Sequence, residues 1–511
     1  MSSRGRTMMS LPSLRQSVAA AVLMCSAAAA PSFAATLTVG AGKAFATPCK
    51  AFAAAAAGDV IEIDAGTAYV GDVCGIYPSN LVIRGVNGRP KIDAGGANAM
   101  GKGTWVVVGN GITIENVEMF GARVADRNGA ALRLEGTGFT LRRSFLHDNE
   151  NGILSGANTA SDIVIENSEF GHNGYGDGYS HNLYIGNVRS LTFRYNYSHD
   201  ANVGHNLKSR AQTNTIAYNR FSSTPVGQPN TTASGQPSYE VNLPNAGIAY
   251  VIGNVIQQPS ANQNPGMLTF GEEGATNPGQ SLYVVNNTFL NDDGSRGTFV
   301  MVGSGVSTPV LLQNNIFAGT GTMSTQAAAL DKSNYRSLAP SFVDRANYDL
   351  RPAAGALMID AGTNPGTSLT GLSLVPSAQY KHSAGSELRP VSGALDIGAY
   401  EAVATTAPAP APAPAPTPIA DVTPPTVRIA SPTGGRVSGT VTVMVQSSDD
   451  SGAAGITNQL YIDGVLVASN QGASLSYKWS TRKVAKGTHT VKALAKDAAG
   501  NVSTTSVQVS K

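Results

Sequence analysis

The feature that most constrains this chain is a short segment repeated at irregular intervals. Its unit is an alternating apolar strand, then Asn or a small polar residue, then an apolar or aromatic residue. It is seen in Ile112–Met119, Phe139–Leu146, Ile163–Phe170, Leu191–Asn196, Thr215–Phe221, Tyr250–Ile256, Tyr283–Phe289 and Val310–Phe317. The matching positions Met119, Leu146, Phe170, Ser198, Phe221, Ile256, Phe289 and Phe317 are 27, 24, 28, 23, 35, 33 and 28 residues apart. A constant strand with a variable spacer predicts coils wound into a parallel β-helix. One coil cannot bury its own apolar face, so coils stack and bury it together. The Asn suits a turn: it tolerates a left-handed backbone and can bond to its copy in the next coil. An antiparallel sandwich gives no reason for one turn residue to recur at one place per unit.

A second strand lies between these segments. It includes Ala130–Leu134, Gly152–Ser155, Asn182–Gly186, Asn206–Arg210, Tyr239–Leu243, Met267–Gly271 and Phe299–Val302, and it forms another sheet of the same coil. Composition agrees with an all-β chain. Gly is 57 of 511 residues and aromatics are 6%, which suits many short strands with tight turns. Net charge is +2 with no basic run, so no nucleic-acid partner is expected.

The N-terminus has the pattern of a bacterial Sec-type signal peptide over residues 1–34. Arg4, Arg6 and Arg15 precede the apolar Ser17–Ala30, and Ser32-Phe33-Ala34 offers small residues for cleavage. No later apolar run approaches the roughly 20 residues of a membrane helix. A secreted, periplasmic or cell-surface protein acting as a monomer is expected. Loss of the signal segment removes Cys25 and leaves Cys49 and Cys74, an even pair that predicts one disulfide in an exported chain.

Residues 35–403 form the expected β-helix. Within it, residues 36–76 are an atypical first unit with one helix in the Ala-rich Ala44–Ala57, able to cover the open end. The endings Tyr348–Pro352, Met358–Gly362 and Asp396–Glu401 resemble those of exported right-handed β-helix proteins. The whole region resembles that superfamily, which includes pectate-lyase-like enzymes. Residues 404–420 are a linker. Its Ala-Pro run at 407–418 predicts a semi-rigid spacer of roughly 37 Å at ~3.1 Å per residue. In residues 421–511, short strands recur at Thr440–Val445, Gln459–Ile462, Ser474–Trp479 and Thr488–Ala495, with a hairpin turn at Asp463-Gly464. Thr423-Pro424-Pro425-Thr426-Val427 and Asp497–Asn501 resemble bacterial immunoglobulin-like repeats, which implies a small β-sandwich that serves as a spacer or a carbohydrate or surface adapter.

The candidate chemistry sits between Asp177 and Arg210. His181–Gly186 and His205–Arg210 look like one strand a repeat apart, and the second carries Lys208 and Arg210 in a chain only 13% charged. Strand alternation sends Leu183, Ile185, Leu207 and Ser209 inward. It predicts an outward wall of Asn182, Tyr184, Asn206, Lys208, Arg210, Glu240 and Asn242. Coils about 4.8 Å apart place these within reach of one sugar chain. A lysine whose charging a neighbouring cation opposes can act as a general base. Lys208 as base, Arg210 as charge stabiliser and Tyr184 as proton donor would suit β-elimination of a uronic acid. Asn182, Asn206, Asn242, His181 and His205 are candidate substrate contacts, the two histidines also fitting a stacked ladder. Glu240 and Glu273 are hard oxygen ligands and candidates for a Ca²⁺ site. His172, His199 and Asp200 fit turn positions, and Asp177 fits an aromatic-Gly loop.

Asn206-Leu207-Lys208-Ser209 with Asn219-Arg220-Phe221 resembles the Asn-Lys-Ser…Asn-Thr-Phe run of the alginate and chondroitin lyase family built on this fold. That resemblance implies a lysine base acting on a polysaccharide. Leu207 is an insertion relative to that run, and the family's Glu-x-Glu and Arg-His-Gly motifs do not occur here. A lysine in an apolar strand is also similar to calcium-dependent pectate lyases. The expected function is a secreted polysaccharide lyase. A non-catalytic exopolysaccharide-binding protein and a polyuronate C5-epimerase are the alternatives.

Overall fold

A computed structural model describes residues 34–222, 237–402, 421–450 and 452–511. The expected signal segment, apart from Ala34, lies outside these residues, as does the whole of the expected linker. The coils form three parallel sheets. The first has twelve strands from Thr36–Val39 to Leu330–Lys332. The second has eleven, from Ala68–Val70 to Tyr335–Ser337, and the third has ten, from Cys74–Ile76 to Thr322–Ser324. One coil runs Ile112–Glu115, Glu118–Phe120, Ala130–Leu134 through the three sheets in turn before Phe139–Arg142 pairs beside its start. This is the right-handed parallel β-helix expected, but each repeated segment covers two strands and the corner between them.

That corner divides two duties which the sequence assigned to one Asn. The first corner residue takes the left-handed conformation: φ is +56° at Asn116, +63° at Tyr195, +58° at Tyr218 and +53° at Asn286. The next residue points inward. Asn196, Asn219, Asn254, Asn287 and Asn315 are all fully buried. From Asn219 on, each side-chain oxygen accepts both the backbone and the side-chain N–H of the Asn in the coil before, as when Asn219 donates to Asn254 Oδ1 twice at 2.9 Å, whereas Asn196 Oδ1 accepts only the backbone N–H of Ser168. Each Nδ2 also donates to a strand carbonyl, such as Asn254 to Ile216 at 2.8 Å. Buried amides are thereby satisfied along the stack, which removes the desolvation penalty that they would otherwise carry. Between the sheets the interior is filled by Phe170, Phe193, Phe221, Phe289 and Phe317, which are almost wholly buried.

The first coil is closed by a helix at Pro48–Ala54, shorter than the Ala-rich run suggested. Pro48 sets its start, and Phe52 packs edge-on against Trp105 at 5.0 Å. Cys49 and Cys74 form the expected disulfide, tying this cap to the first strand of the third sheet.

Beyond the last coil the chain turns back as a strap over the corner between the first and second sheets. Leu369 N–H donates to the Tyr283 hydroxyl, the hydroxyls of Thr370 and Tyr250 meet at 2.6 Å, and Ser377 N–H donates to Tyr218. The strap reaches Asn167, whose side chain donates to the Ala384 carbonyl, and then returns to Asn286 and Asn314 through Asp396 and Gly398. A buried Arg389–Glu401 pair at 2.7 Å fixes the return.

The C-terminal strands are antiparallel except for one short parallel pairing, Gly435–Arg436 with Val502–Ser510. Thr426–Ser431, Thr440–Ser448 and Ser474–Ser480 form one sheet, and Thr457–Ile462, Val465–Gln471, Thr488–Lys496, Val502–Ser510 and the short Gly435–Arg436 form the other. Val443, Val445, Leu460, Trp479 and Val491 are buried between them, giving the expected small sandwich.

Candidate functional site

The third sheet carries the residues singled out from sequence. Leu183, Ile185, Leu207, Ser209, Val241 and Leu243 are buried. Tyr184 pairs in register with Lys208, and Lys208 with Asn242. Within the strands, alternation holds for Tyr184 and Lys208, which form one outward column, whereas Asn242, in register with them, is only 1% exposed and does not reach the surface as expected.

At the strand starts it fails. Asn182, Asn206 and Glu240 are each 0% exposed, so they are not part of the outward wall. They form a second internal ladder at the corner between the second and third sheets. Asn182 Nδ2 donates to Asn206 Oδ1 at 2.8 Å and to the His199 carbonyl at 2.7 Å, and Asn206 Nδ2 donates to Glu240. The chain is bending there, so period-two alternation no longer applies.

The residues one position earlier take the other side. His181, His205 and Tyr239 stack beside the outward column, with His181 and His205 ring centroids 4.4 Å apart, and His205 and Tyr239 5.2 Å apart. His181 also lies parallel to Tyr184 at 5.9 Å. The His205 amide donates to His181 Nδ1, and the Tyr239 amide to His205 Nδ1. Each imidazole is thus held neutral with its proton on Nε2. Burial, followed by the charges of Lys208 and Arg210, lowers His181 to about 3. Burial, with His181 and Lys208 nearby, lowers His205 well below the ordinary range.

The cations converge on one acid, and it is Glu273 rather than Glu240. Lys208 Nζ donates to Glu273 Oε1 at 2.8 Å, and Arg210 Nη2 to Glu273 Oε2 at 2.5 Å. Arg210 is further fixed by Nε to the Tyr184 hydroxyl at 2.8 Å and by Nη1 to Asn245 Oδ1 at 2.6 Å. Its guanidinium also lies over the Tyr184 ring, 5.7 Å from the centroid. Burial alone would raise Glu273, but the two cations outweigh it and hold the carboxyl below its usual range. Asn245, placed by the turn after Val241–Leu243, was not singled out from sequence because nothing distinguishes it from the many other turn asparagines.

Glu240 and Glu273 do not suit a Ca²⁺ ion. Glu240 is buried in the amide ladder, and Glu273 is occupied by two cations. Neither belongs to a group of three or more close metal-ligating side chains among the described residues. A cavity of about 670 Å³, lined by Tyr335, Arg336, Tyr461 and Lys492 among others, contains none of these site residues. The candidate site is instead an open face of the third sheet, a shape suited to a polymer.

The fold is a right-handed parallel β-helix followed by a small immunoglobulin-like β-sandwich. Among solved structures, the chain is similar to the crystal structure of pectate lyase Pel9A. The two share 16% identity with a TM-score of 0.50, over 73% of this chain and 97% of that one. Residues 425–493 match the family model of a bacterial Ig domain. No curated protein matches the chain in sequence. No helix among the described residues is long and apolar enough to cross a membrane.

Proposed function

We propose that the protein is a polysaccharide lyase that cleaves a uronate-containing polymer by β-elimination on the outward face of the third sheet. The observation that carries this reading is the convergence of Lys208 and Arg210 on a single carboxylate, with Tyr184 held by the same arginine. Arg210, which grips Glu273 beside Lys208, has the geometry to grip a uronate carboxylate in its place. Arg210 would then neutralise the carboxylate and stabilise the enolate-like charge that develops when the neighbouring carbon loses its proton. Lys208, released from Glu273, would act in its unprotonated form and take that proton from C5. The C5–H electrons form the C4–C5 double bond as the C4–O bond breaks. The Tyr184 oxygen accepts from Arg210 Nε, which leaves its own hydrogen to go to the departing oxygen. His181 and His205, neutral and stacked alongside, add no charge to the face.

The test is a panel of polyuronates followed by the ultraviolet absorbance of the unsaturated product. Lys208→Ala and Arg210→Ala are expected to lower the rate by about 10²-fold or more, the range seen for general bases and charge-stabilising groups. Full lyase activity in Lys208→Ala overturns the assignment. Binding without new absorbance would indicate a non-catalytic adhesin-like protein, and altered uronate composition without scission would indicate a C5-epimerase.

A further inference from the structure

A second cluster lies at the corner between the second and third sheets, outside the proposed lyase machinery. Gly171 pairs with His199, so the next residues, His172 and Asp200, face one another from adjacent coils. Both are left-handed, with φ of +54° and +50°. His199 Nδ1 lies 2.8 Å from Asp200 Oδ2, and His172 Nε2 lies 3.7 Å from the same oxygen. The imidazoles meet edge to face at 5.5 Å. One ligand atom from each of the three residues falls within 4.8 Å of the others.

We propose that His172, His199 and Asp200 bind a divalent transition-metal ion of the Zn²⁺ class. Three further observations support a built site. His199 Nε2 is held by Glu169 Oε1 at 3.3 Å, which aims Nδ1 into the cluster. A carboxylate behind a ligating histidine is the usual outer partner at metal sites. Gly171 makes room for the ring: a Cβ there would come 2.6 Å from His199 Cε1. Asp200 is 3% and His199 8% exposed, whereas the His172 side chain is 20% exposed, so the cluster has one side open to solvent. Tetrahedral ligands about 2.0–2.1 Å from zinc stand roughly 3.3 Å from one another, within the range of separations found here. Two imidazole nitrogens and one carboxylate favour zinc and its neighbours over calcium, which takes six to eight oxygens. Such an ion leaves a fourth position for water or a ligand and clamps two successive coils together.

The experiment is equilibrium dialysis of the untagged, chelator-stripped full chain against Zn²⁺ in excess Ca²⁺, with metal counted per chain. One Zn²⁺ per chain is expected. His172→Asn, which keeps a residue tolerant of the left-handed backbone, is expected to abolish it. Glu169→Gln, which touches no metal, is expected to weaken binding by about 10–100-fold. Thermal unfolding of each variant checks that it is folded. A wild-type stoichiometry near zero overturns the proposal whatever the variants do, as does zinc binding unchanged in a folded His172→Asn. Lyase activity is not part of the readout, so this site and the lyase assignment fail independently.

Discussion

The imidazoles of His181 and His205 lie face to face, 4.4 Å apart and 9° from parallel, each accepting the backbone N–H of the next coil at Nδ1. A proton cannot be added at Nδ1 without breaking that bond inside a site that is 2–6% exposed. The folded pKa of His181 is about 3, against an ordinary value of 6.5. The unfolded chain therefore binds the proton first. The contribution of His181 is fully present above pH 6.5 and is lost as pH falls toward 3, by about 1.4 kcal/mol per unit. Denaturant titrations between pH 7 and 4 should show this slope, and His181→Gln should reduce it by close to one proton. An unchanged slope would contradict the neutral stack.

Glu273 holds the two cations where a substrate carboxylate is proposed to sit. Its side chain is 42% exposed, so Glu273→Gln should change stability by less than about 1 kcal/mol. With the internal anion gone, binding of a polyuronate should tighten, measured by calorimetry at fixed ionic strength. Weaker binding would mean that Glu273 orients Lys208 and Arg210 rather than competing for them.

The corner ladder makes a sharper stability prediction. Asn254→Ala leaves the Asn219 backbone and side-chain N–H groups without their acceptor and the Ile216 carbonyl and Asn287 Oδ1 without their side-chain donor in a fully buried column. A loss of about 2–4 kcal/mol is expected, since buried unsatisfied groups cost ~1–3 kcal/mol each and partly relax. Chemical denaturation should register it, while an exposed substitution such as Lys50→Ala should not.

The disulfide joins residues 25 apart, a loop for which chain entropy gives roughly 3 kcal/mol. Replacing both cysteines with Ala should lower stability by about that amount. Hydrogen exchange should rise first over Pro48–Ala54, because the bond ties this helix to the first strand of the third sheet. Uniform exchange across all coils would contradict a local role.

The stack of coils was legible because the apolar repeat fixes what each strand must bury, as Leu183, Ile185 and Leu207 show. The corners were not. Asn182, Asn206 and Glu240 sit where the chain changes direction, and alternation there would turn them outward while the bend turns them inward. The same bend takes His181 and His205 to the other side of that amide ladder, where they are buried and stack on one another as a ladder rather than standing open as substrate contacts. Glu273 as the partner of Lys208 and Arg210 is separated from them by 65 and 63 residues. Nothing local announces that pairing. His172, His199 and Asp200 looked like turn residues; His172 and Asp200 follow strands, but His199 ends the strand Tyr197–His199, and only the register between coils brings the three side chains together.

The strap gives a stacked array an unusual dependence on distance along the chain. Coils that contact only their neighbours would lose or gain order one at a time from an end. Here Asn167, in the middle of the array, is fastened by Ala384, 217 residues later. The chain segment that completes the fifth and sixth coils is thus laid down only after the last coil has formed. Synthesis from the N-terminus leaves these coils without their outer covering until then, so the array locks as a closed unit rather than growing coil by finished coil.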